Sequence, residues 1–259
     1  MEYEVLEYRV EQSVAVVTLN RPPYNPLNSQ IFMELVHVLE TIEDDDQVRA
    51  VILTGKGDKA FAAGADVHEM KGLDRKGIAK MARLARAAFN SMELLSKPII
   101  GAVNGLALGG GCELALACDL RICSEHAKFA LPELKLGIIP GAGGTQRLPR
   151  IIGQARAKEM ILFGETVDAR KAYEIGLVNK TLPMEELYAS SMEWALKLAE
   201  NPPIAMQAFK RSINTGMNVD LESALLIEDA HSTIAFLSED RKEGMTAFSE
   251  KRKPNFVGR

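Results

Sequence analysis

Cysteine and histidine are scarce in this sequence, which leaves little material for disulfides or for a metal site. The three cysteines, Cys112, Cys118 and Cys123, fit neither the CxxC pairs of metal sites nor a disulfide framework. The four histidines are scattered, and the zinc motif HExxH does not occur. We therefore expect no metal site and three buried free thiols, as in a reducing cytoplasm.

Long apolar runs and a strong charge of one sign are also lacking. No stretch approaches the about 18 consecutive apolar residues of a membrane-spanning helix. The opening segment MEYEVLEYRV has neither the basic nor the apolar region of a secretory signal. The formal net charge of −4 gives no electrostatic reason to expect nucleic acid as the main ligand. These absences predict a cytoplasmic protein that does not cross a membrane.

Two glycine-rich segments resemble nucleotide-binding loops, but each lacks a required part. Residues 55–60, GKGDKA, match G-x-G-x-x-A, yet the small residues after them do not predict the helix that a dinucleotide site needs. Residues 141–147, GAGGTQR, lack the lysine of a P-loop. No serine lies in a G-x-S-x-G turn. Redox, NTP-dependent and serine-hydrolase functions are therefore disfavoured.

The hydrophobic pattern alternates strands with helices over the first two thirds of the chain and is helical after Gly153. Ser29 is predicted to cap the first helix, and a helix break is predicted at Asn201-Pro202-Pro203. By itself, this alternation favours a doubly wound parallel sheet. The predicted strands are 3–10, 14–19, 49–53, 99–103, 119–123 and 177–182, and a long helix is predicted at 76–96.

One glutamate lies inside an otherwise apolar run. Apart from Glu113, the run from Cys112 to Cys118 holds only Leu, Ala and Cys, so a helix there would be buried on all sides. A buried carboxylate costs several kcal/mol unless it is paired or held neutral. Glu113 therefore has either a structural partner or a chemical task.

A second glutamate, Glu133, also lies beside a glycine-rich segment. Gly109–Gly111 come just before Glu113, and Gly137–Gly144 follow Glu133. Glycine lets the backbone approach a ligand closely, and backbone N–H groups suit an enolate or thioester oxygen. Two carboxylates in different surroundings can divide acid and base roles. Tight turns with both glutamates in salt bridges are the structural alternative, and the presence of two such acids favours chemistry.

Over essentially its whole length the sequence resembles the enoyl-CoA hydratase/isomerase (crotonase) family. The resemblance implies a spiral of ββα units with a C-terminal helical region, in place of a doubly wound sheet. It implies a core with the active site at 1–200 and a helical oligomerisation region at 201–259. The matching blocks are LNRP at 19–22, AFAAGAD at 60–66, KPIIGAVNGLALGGGCELALACDLRI at 97–122, FALPELKLGIIPGAGGTQRLPRIIG at 129–153, DARKAYEIGLVNK at 168–180 and EDRKEGMTAFSEKRKPNF at 239–256.

The resemblance also implies an active site. The backbone N–H groups of Ala65 and Gly110 would form the oxyanion hole for the thioester oxygen. Glu113 and Glu133 would be the catalytic acids that hold one water between them, with Glu133 handling the proton at the α-carbon. No cofactor is implied, since coenzyme A is part of the substrate. The further residues that the resemblance assigns to substrate or coenzyme A binding are Ala63, Gly64, Asp66, Gly141 and Lys251.

Because both glutamates are present, the resemblance favours syn-hydration of a trans-2-enoyl-CoA to a 3-hydroxyacyl-CoA. Double-bond isomerisation is the alternative within the family, as is a hydratase specialised for branched acyl groups such as 3-methylglutaconyl-CoA. A binding or scaffold role, for example toward RNA, is a third possibility that the intact acid pair disfavours. These motifs do not fix the length of the acyl chain.

The resemblance further implies trimers, often paired into hexamers, with the C-terminal helices against a neighbouring subunit. Apolar residues at helical spacing within 203–237 fit such a surface and equally an intramolecular core. The lysine matching Lys251 would reach the coenzyme A of the adjacent subunit, whereas the sequence alone indicates only a solvated basic tail. Gly141 is expected at the start of a helix that seats the active site.

Overall fold

The computed structural model describes residues 3–259 of the chain. None of the helices in this range is both long enough and apolar enough to span a bilayer. The strands are β1 (Leu6–Glu11), β2 (Val14–Leu19), β3 (Ala50–Gly55), β4 (Ala60–Ala63), β5 (Ile99–Val103), β6 (Leu106–Leu108), β7 (Leu120–Ser124), β8 (Lys128–Ala130), β9 (Val167–Asp168) and β10 (Lys180–Leu182). The helices are α1 (Ser29–Asp44), α2 (Val67–Lys71), α3 (Arg75–Leu94), α4 (Gly110–Leu116), α5 (Gly144–Ile152), α6 (Gln154–Phe163), α7 (Ala169–Glu174), α8 (Met184–Ala199), α9 (Pro203–Gly216), α10 (Leu221–Leu237) and α11 (Glu239–Glu250), with a 3₁₀ turn at Glu133–Leu136.

The strands divide between two sheets. The larger sheet has the order β1-β2-β3-β5-β7-β10 and is parallel except for the β1–β2 pair. The smaller sheet has the order β4-β6-β8-β9, and only its β8–β9 pair is antiparallel. Three consecutive pairs, β3/β4, β5/β6 and β7/β8, each put their first strand in the larger sheet and their second in the smaller one. The chain therefore winds as the spiral of ββα units that the resemblance implied. The prediction of a single doubly wound sheet, made from the alternation of strands and helices, is wrong.

Strand β2 shows how the larger sheet is covered on both faces. Val14 and Val16 pack in one apolar cluster with residues of α8. Ala15, Val17 and Leu19 point to the opposite face and pack in the main core with residues of α1 and α3. A strand that is buried on both faces favours apolar residues at nearly every position, which explains the run VAVVTL, in which only Thr18 is polar.

Element boundaries follow the sequence signals closely, with small shifts. Helix α1 does begin at Ser29, but its cap is Asn28, whose side-chain oxygen accepts the Ile31 N–H at 3.0 Å. The predicted cap at Ser29 is thus wrong by one residue, because the asparagine oxygen reaches the N–H three residues ahead. The predicted helix 76–96 corresponds to α3. Of the predicted strand 177–182, only the second half pairs, as β10.

The region after residue 200 is helical, as predicted, and is attached to the spiral by a partly buried ion pair. The Lys210 ammonium on α9 lies 2.8 Å from the Asp119 carboxylate, with the lysine side chain 5% exposed. It also donates to the carbonyl oxygens of Met92 and Lys97. The predicted helix break falls between α8 and α9. Removing the Asp119 carboxylate would leave the buried Lys210 ammonium without a compensating charge.

The three cysteines are buried free thiols, as the sequence predicts. Burial raises the pKa of the Cys118 thiol and of the Cys123 thiol to about 12. Both therefore stay protonated at neutral pH and serve as small apolar packing residues.

Candidate active site

The candidate site lies at one edge of the smaller sheet. Strands β4, β6 and β8 are parallel neighbours, and their register aligns their final residues Ala63, Leu108 and Ala130. The carboxyl ends of parallel strands meet at one edge of a sheet, where ligands of open α/β sheets bind. The segments that leave this edge carry, in chain order, Ala65, Gly110 and Glu133.

Two glycines allow helix α4 to start directly against this edge. Gly109 has a φ of 52°, a left-handed conformation that glycine adopts without a steric penalty. A Cβ placed on Gly111 would lie 1.8 Å from the carbonyl oxygen of Ala62 in β4, so no other residue fits there without moving the backbone. The first turn of α4 is therefore held beside the end of β4.

This close approach brings two backbone N–H groups together. A Cβ placed on Gly110 would lie 3.8 Å from the Ala65 nitrogen. Within residues 3–259, neither the Ala65 N–H nor the Gly110 N–H donates a hydrogen bond. Gly110 is the first residue of α4, where helical N–H groups have no partner inside the helix. Two adjacent N–H donors in this arrangement can hold one oxygen that gains negative charge.

Glu113 lies in the first turn of α4 and is 3% exposed. Its Oε1 accepts the N–H of Ala142 at 2.8 Å and that of Gly144 at 2.7 Å. Burial raises the pKa of the Glu113 carboxyl, while these two hydrogen bonds and the Arg147 cation oppose the rise. The surroundings thus contain specific stabilisation for an ionised Glu113, which is the form that can act as a base.

Glu133 begins the 3₁₀ turn after β8 and is surrounded differently. Its Oε2 is buried and has no hydrogen-bond partner within residues 3–259. A Cβ placed on Gly109 would lie 3.0 Å from its Oε1, so the carboxyl lies against the start of α4. Burial raises the pKa of Glu133 to about 7, and the charge of Glu113 adds to the rise. At neutral pH a substantial fraction of Glu133 therefore carries a proton that it can donate.

Salt bridges do not account for the two glutamates. Among residues 3–259 no cation lies within ion-pair distance of Glu113 or Glu133. A buried polar atom that lacks a partner needs an explanation in a native fold, and a bound ligand or water is one. The pair therefore favours the chemical interpretation over the structural one.

Three of the predicted binding residues adjoin this edge. Ala63 ends β4, and Gly64 follows it with a φ of 90°. The Asp66 side chain caps α2 and pairs with Arg21 at 2.9 Å. That Arg21 hydrogen bond is the main cause of a lowered pKa at Asp66. The Asp66 carboxylate is thus already occupied by a structural task, and only the backbone around it is open to a ligand.

The other two predicted binding residues, Gly141 and Lys251, are not in the segments that leave this edge of the smaller sheet. Gly141 is in the loop before α5, three residues ahead of the helix start, so its predicted place at the start of a helix is wrong. The N–H groups that bond Glu113 come from the neighbours Ala142 and Gly144. Lys251 follows α11 as its C-terminal cap, with a φ of 56°, and is exposed. Among residues 3–259 its side chain makes no hydrogen bond to the glutamate pair.

Residues 55–60, which match a dinucleotide motif, form the turn between β3 and β4. No helix begins in this segment, so it lacks the anion site that such a motif requires. The side chains of Asn25 and Asn104 donate into it, to the carbonyls of Ala60 at 2.8 Å and Gly57 at 2.7 Å. The turn therefore fixes the path into β4, and the nucleotide interpretation is excluded here.

The chain matches the family described as enoyl-CoA hydratase/isomerase over residues 9–259. It is 47% identical to a short-chain-enoyl-CoA hydratase of Clostridium acetobutylicum over 98% of this chain and 97% of the relative. It is 42% identical to a crotonyl-CoA hydratase of Syntrophomonas wolfei over 100% of both chains. The fold is similar to the crystal structure of an enoyl-CoA hydratase from Bacillus anthracis, with a TM-score of 0.95 and 42% identity over 99% of this chain and 100% of that one.

This chain therefore belongs to the enoyl-CoA hydratase/isomerase family, which confirms the resemblance stated from the sequence. The crotonase-like fold is confirmed by the same comparisons.

Proposed function

We propose that this protein is an enoyl-CoA hydratase, a hydro-lyase that adds water syn across the double bond of a trans-2-enoyl-CoA. The observation that carries the proposal is the pair of buried carboxyls beside two backbone N–H groups without partners. Hydration needs one base, one acid and a holder for the thioester oxygen. The similarity to hydratases along the whole chain supports the same activity.

The different surroundings of the two glutamates assign their roles. Glu113, bonded by two N–H groups, removes a proton from water, and the hydroxide oxygen adds to the β-carbon. The electron pair of the double bond moves onto the thioester oxygen, which the Ala65 and Gly110 N–H groups hold as an enolate. Glu133, whose pKa of about 7 leaves it substantially protonated, then delivers its proton to the α-carbon. The product is a 3-hydroxyacyl-CoA, and proton exchange returns both acids to their starting forms.

We propose a short, unbranched acyl chain for the substrate, in line with the names of the two similar hydratases. No cofactor takes part, because coenzyme A arrives as part of the substrate. Contacts to it are assigned to the backbone of Ala63 and Gly64, to the loop at Gly141, and to Lys251 of a neighbouring subunit. Asp66 contributes through its backbone, since its carboxylate pairs with Arg21.

We propose a homotrimer or homohexamer located in the cytoplasm. Helices α9 to α11 and the turn between α9 and α10 expose many large apolar side chains, which favours burial against another copy of the chain. These include Phe209, Ile213, Met217, Leu221, Leu225, Leu226, Ile234, Phe236, Leu237, Met245 and Phe248.

A panel of enoyl-CoA thioesters, short, long and branched, tests the proposed activity and substrate together. We expect the highest kcat/KM for the four-carbon substrate and a 3-hydroxyacyl product that takes its oxygen from water. Turnover that moves the double bond without adding water would identify an isomerase instead. A strong preference for a branched, carboxylated acyl group would overturn the short-chain assignment and leave hydration intact.

A further inference from the structure

Arg147 of helix α5 connects three elements around the glutamate pair. Its guanidinium donates to the Glu93 carboxylate at 2.6 Å and to Asn90 Oδ1 at 3.2 Å, both on α3. It also donates to the carbonyl oxygen of Ala142 at 2.8 Å. The arginine side chain is only 14% exposed. One guanidinium thus ties the loop before α5 to a separate helix.

The loop residue held by Arg147 is also a residue that holds Glu113. Ala142 gives its carbonyl to Arg147 and its N–H to the Glu113 carboxylate, the latter at 2.8 Å. The guanidinium packs so closely under the loop that a Cβ on Gly143 would lie 2.0 Å from Arg147 Nη1. Movement of the arginine would therefore move a hydrogen-bond donor of the carboxylate.

We infer that Arg147 is a positioning residue for Glu113, acting through Ala142, whose carbonyl accepts from Arg147 and whose N–H donates to Glu113. The inference rests on the proposed hydration, in which Glu113 is the base that must face the water. A displacement of about 1 Å in a reacting group can cost up to about a hundredfold in rate, so a modest shift of this loop has a measurable consequence.

The charge of Arg147 acts on Glu113 in addition to its hydrogen bonds. Burial raises the pKa of Glu113, and the Arg147 cation lowers it. Glu133 and the Cys112 thiol also interact with this carboxyl, and burial keeps the thiol protonated. Without the cation, the pKa of Glu113 rises further, and the base becomes ionised only at a higher pH.

Kinetics of Arg147→Gln, Arg147→Lys and the control Arg150→Gln test the inference. Arg150 lies on the same helix, is exposed, and bonds only Gln146 among residues 3–259. Arg147→Gln should lower kcat about tenfold or more with little change in KM. In the pH dependence of kcat/KM, the rise on the acidic side (the acidic limb) should also move to higher pH. Arg147→Lys keeps the charge, so its acidic limb should stay near that of wild type, and Arg150→Gln should match wild type throughout.

Two results would overturn the inference. One is a folded Arg147→Gln protein with the kcat and acidic limb of wild type. The other is a lower kcat with an unmoved acidic limb, which indicates only a general structural role. If Arg147→Gln does not fold, Glu93→Gln loosens the arginine without removing it. That variant keeps the cation, so kcat should fall while the acidic limb stays near that of wild type, and an unchanged kcat rejects the inference.

A second readout does not depend on turnover. In a double-mutant cycle, Glu113→Gln should raise the urea midpoint more in the Arg147→Gln protein than in wild type, because the cation that offsets the buried charge is then absent. Equal effects in the two backgrounds would reject the coupling. A wild-type protein that does not hydrate any enoyl-CoA would refute the proposed function, while this cycle still decides the link between Arg147 and Glu113.

Discussion

Glutamine in place of Glu133 should stabilise the folded protein at pH 8 and change its stability little at pH 4. Residue Glu133 is 9% exposed, and burial raises its pKa from an ordinary 4.5 to about 7. Between these two values the unfolded chain releases the proton while the folded protein keeps it. The contribution of this carboxyl to stability is therefore fully present below about pH 4.5 and lost by about pH 7. Glutamine has nearly the same shape and carries no charge at either pH.

The size of the effect follows from the shift. One pKa unit corresponds to about 1.4 kcal/mol, so the rise from 4.5 to about 7 costs wild type at most about 3.5 kcal/mol at pH 8. Water that reaches the carboxylate reduces this cost, and we expect a difference of about 1–3 kcal/mol in the free energy of unfolding. For a chain of this length, that corresponds to a Tm higher by about 2–12 °C.

Urea unfolding at about pH 4, 6 and 8 measures this difference. Both proteins are compared at one concentration, because subunit association shifts the midpoint. Glu125→Gln, in the exposed turn after β7, is the matched control and should change stability by less than about 0.5 kcal/mol at every pH. A difference between Glu133→Gln and wild type that stays constant from pH 4 to 8, or a less stable glutamine protein at pH 8, would refute the reasoning.

Three further predictions concern catalysis. The value of kcat/KM should fall as the pH rises above about 7, because Glu133 must be protonated to act as the acid; a flat profile to pH 9 would contradict this. Gly110→Val should lower kcat/KM by a factor that corresponds to about 3 kcal/mol of transition-state stabilisation, because the valine methyl groups would crowd the space beside the Ala65 N–H. The circular dichroism spectrum should be unchanged. Lys251→Ala should raise KM for acyl-CoA with little change in kcat in a protein that light scattering shows to be a trimer or hexamer, and a fully active monomer would exclude a shared site.

The strands of the larger sheet are predictable from the sequence, whereas those of the smaller sheet are not. β2, β3 and β5 are apolar runs of five or six residues between polar or glycine-rich segments. β4, β6 and β8 have only three or four residues, mostly Ala and Leu, which is too short to establish a period of two. Because the hydrophobic pattern detects the strands of only one sheet, it predicts a doubly wound fold. Only the family resemblance predicted the spiral.

The two glutamates could be identified as candidate site residues from the sequence, because a charged residue inside an apolar or glycine-rich segment is easily recognised there. The division of roles proposed for them was not predictable, since it rests on contacts between distant segments of the chain. The N–H groups that bond Glu113 come from residues 29 and 31 positions away. The role inferred for Arg147 depends on a bond to Glu93, 54 positions away, and nothing local in GGTQRLPR indicates that bond.

The most direct test of the account is the hydration rate of crotonyl-CoA by wild type, Glu113→Gln, Glu133→Gln and the double variant. Each single change should lower kcat by about 10²–10⁴ while the fold is retained, since each removes one acid–base group. The double variant should be little slower than the slower single variant, because the two carboxyls act on one water as a unit. A Glu113→Gln protein that hydrates crotonyl-CoA at close to the wild-type rate would contradict the account.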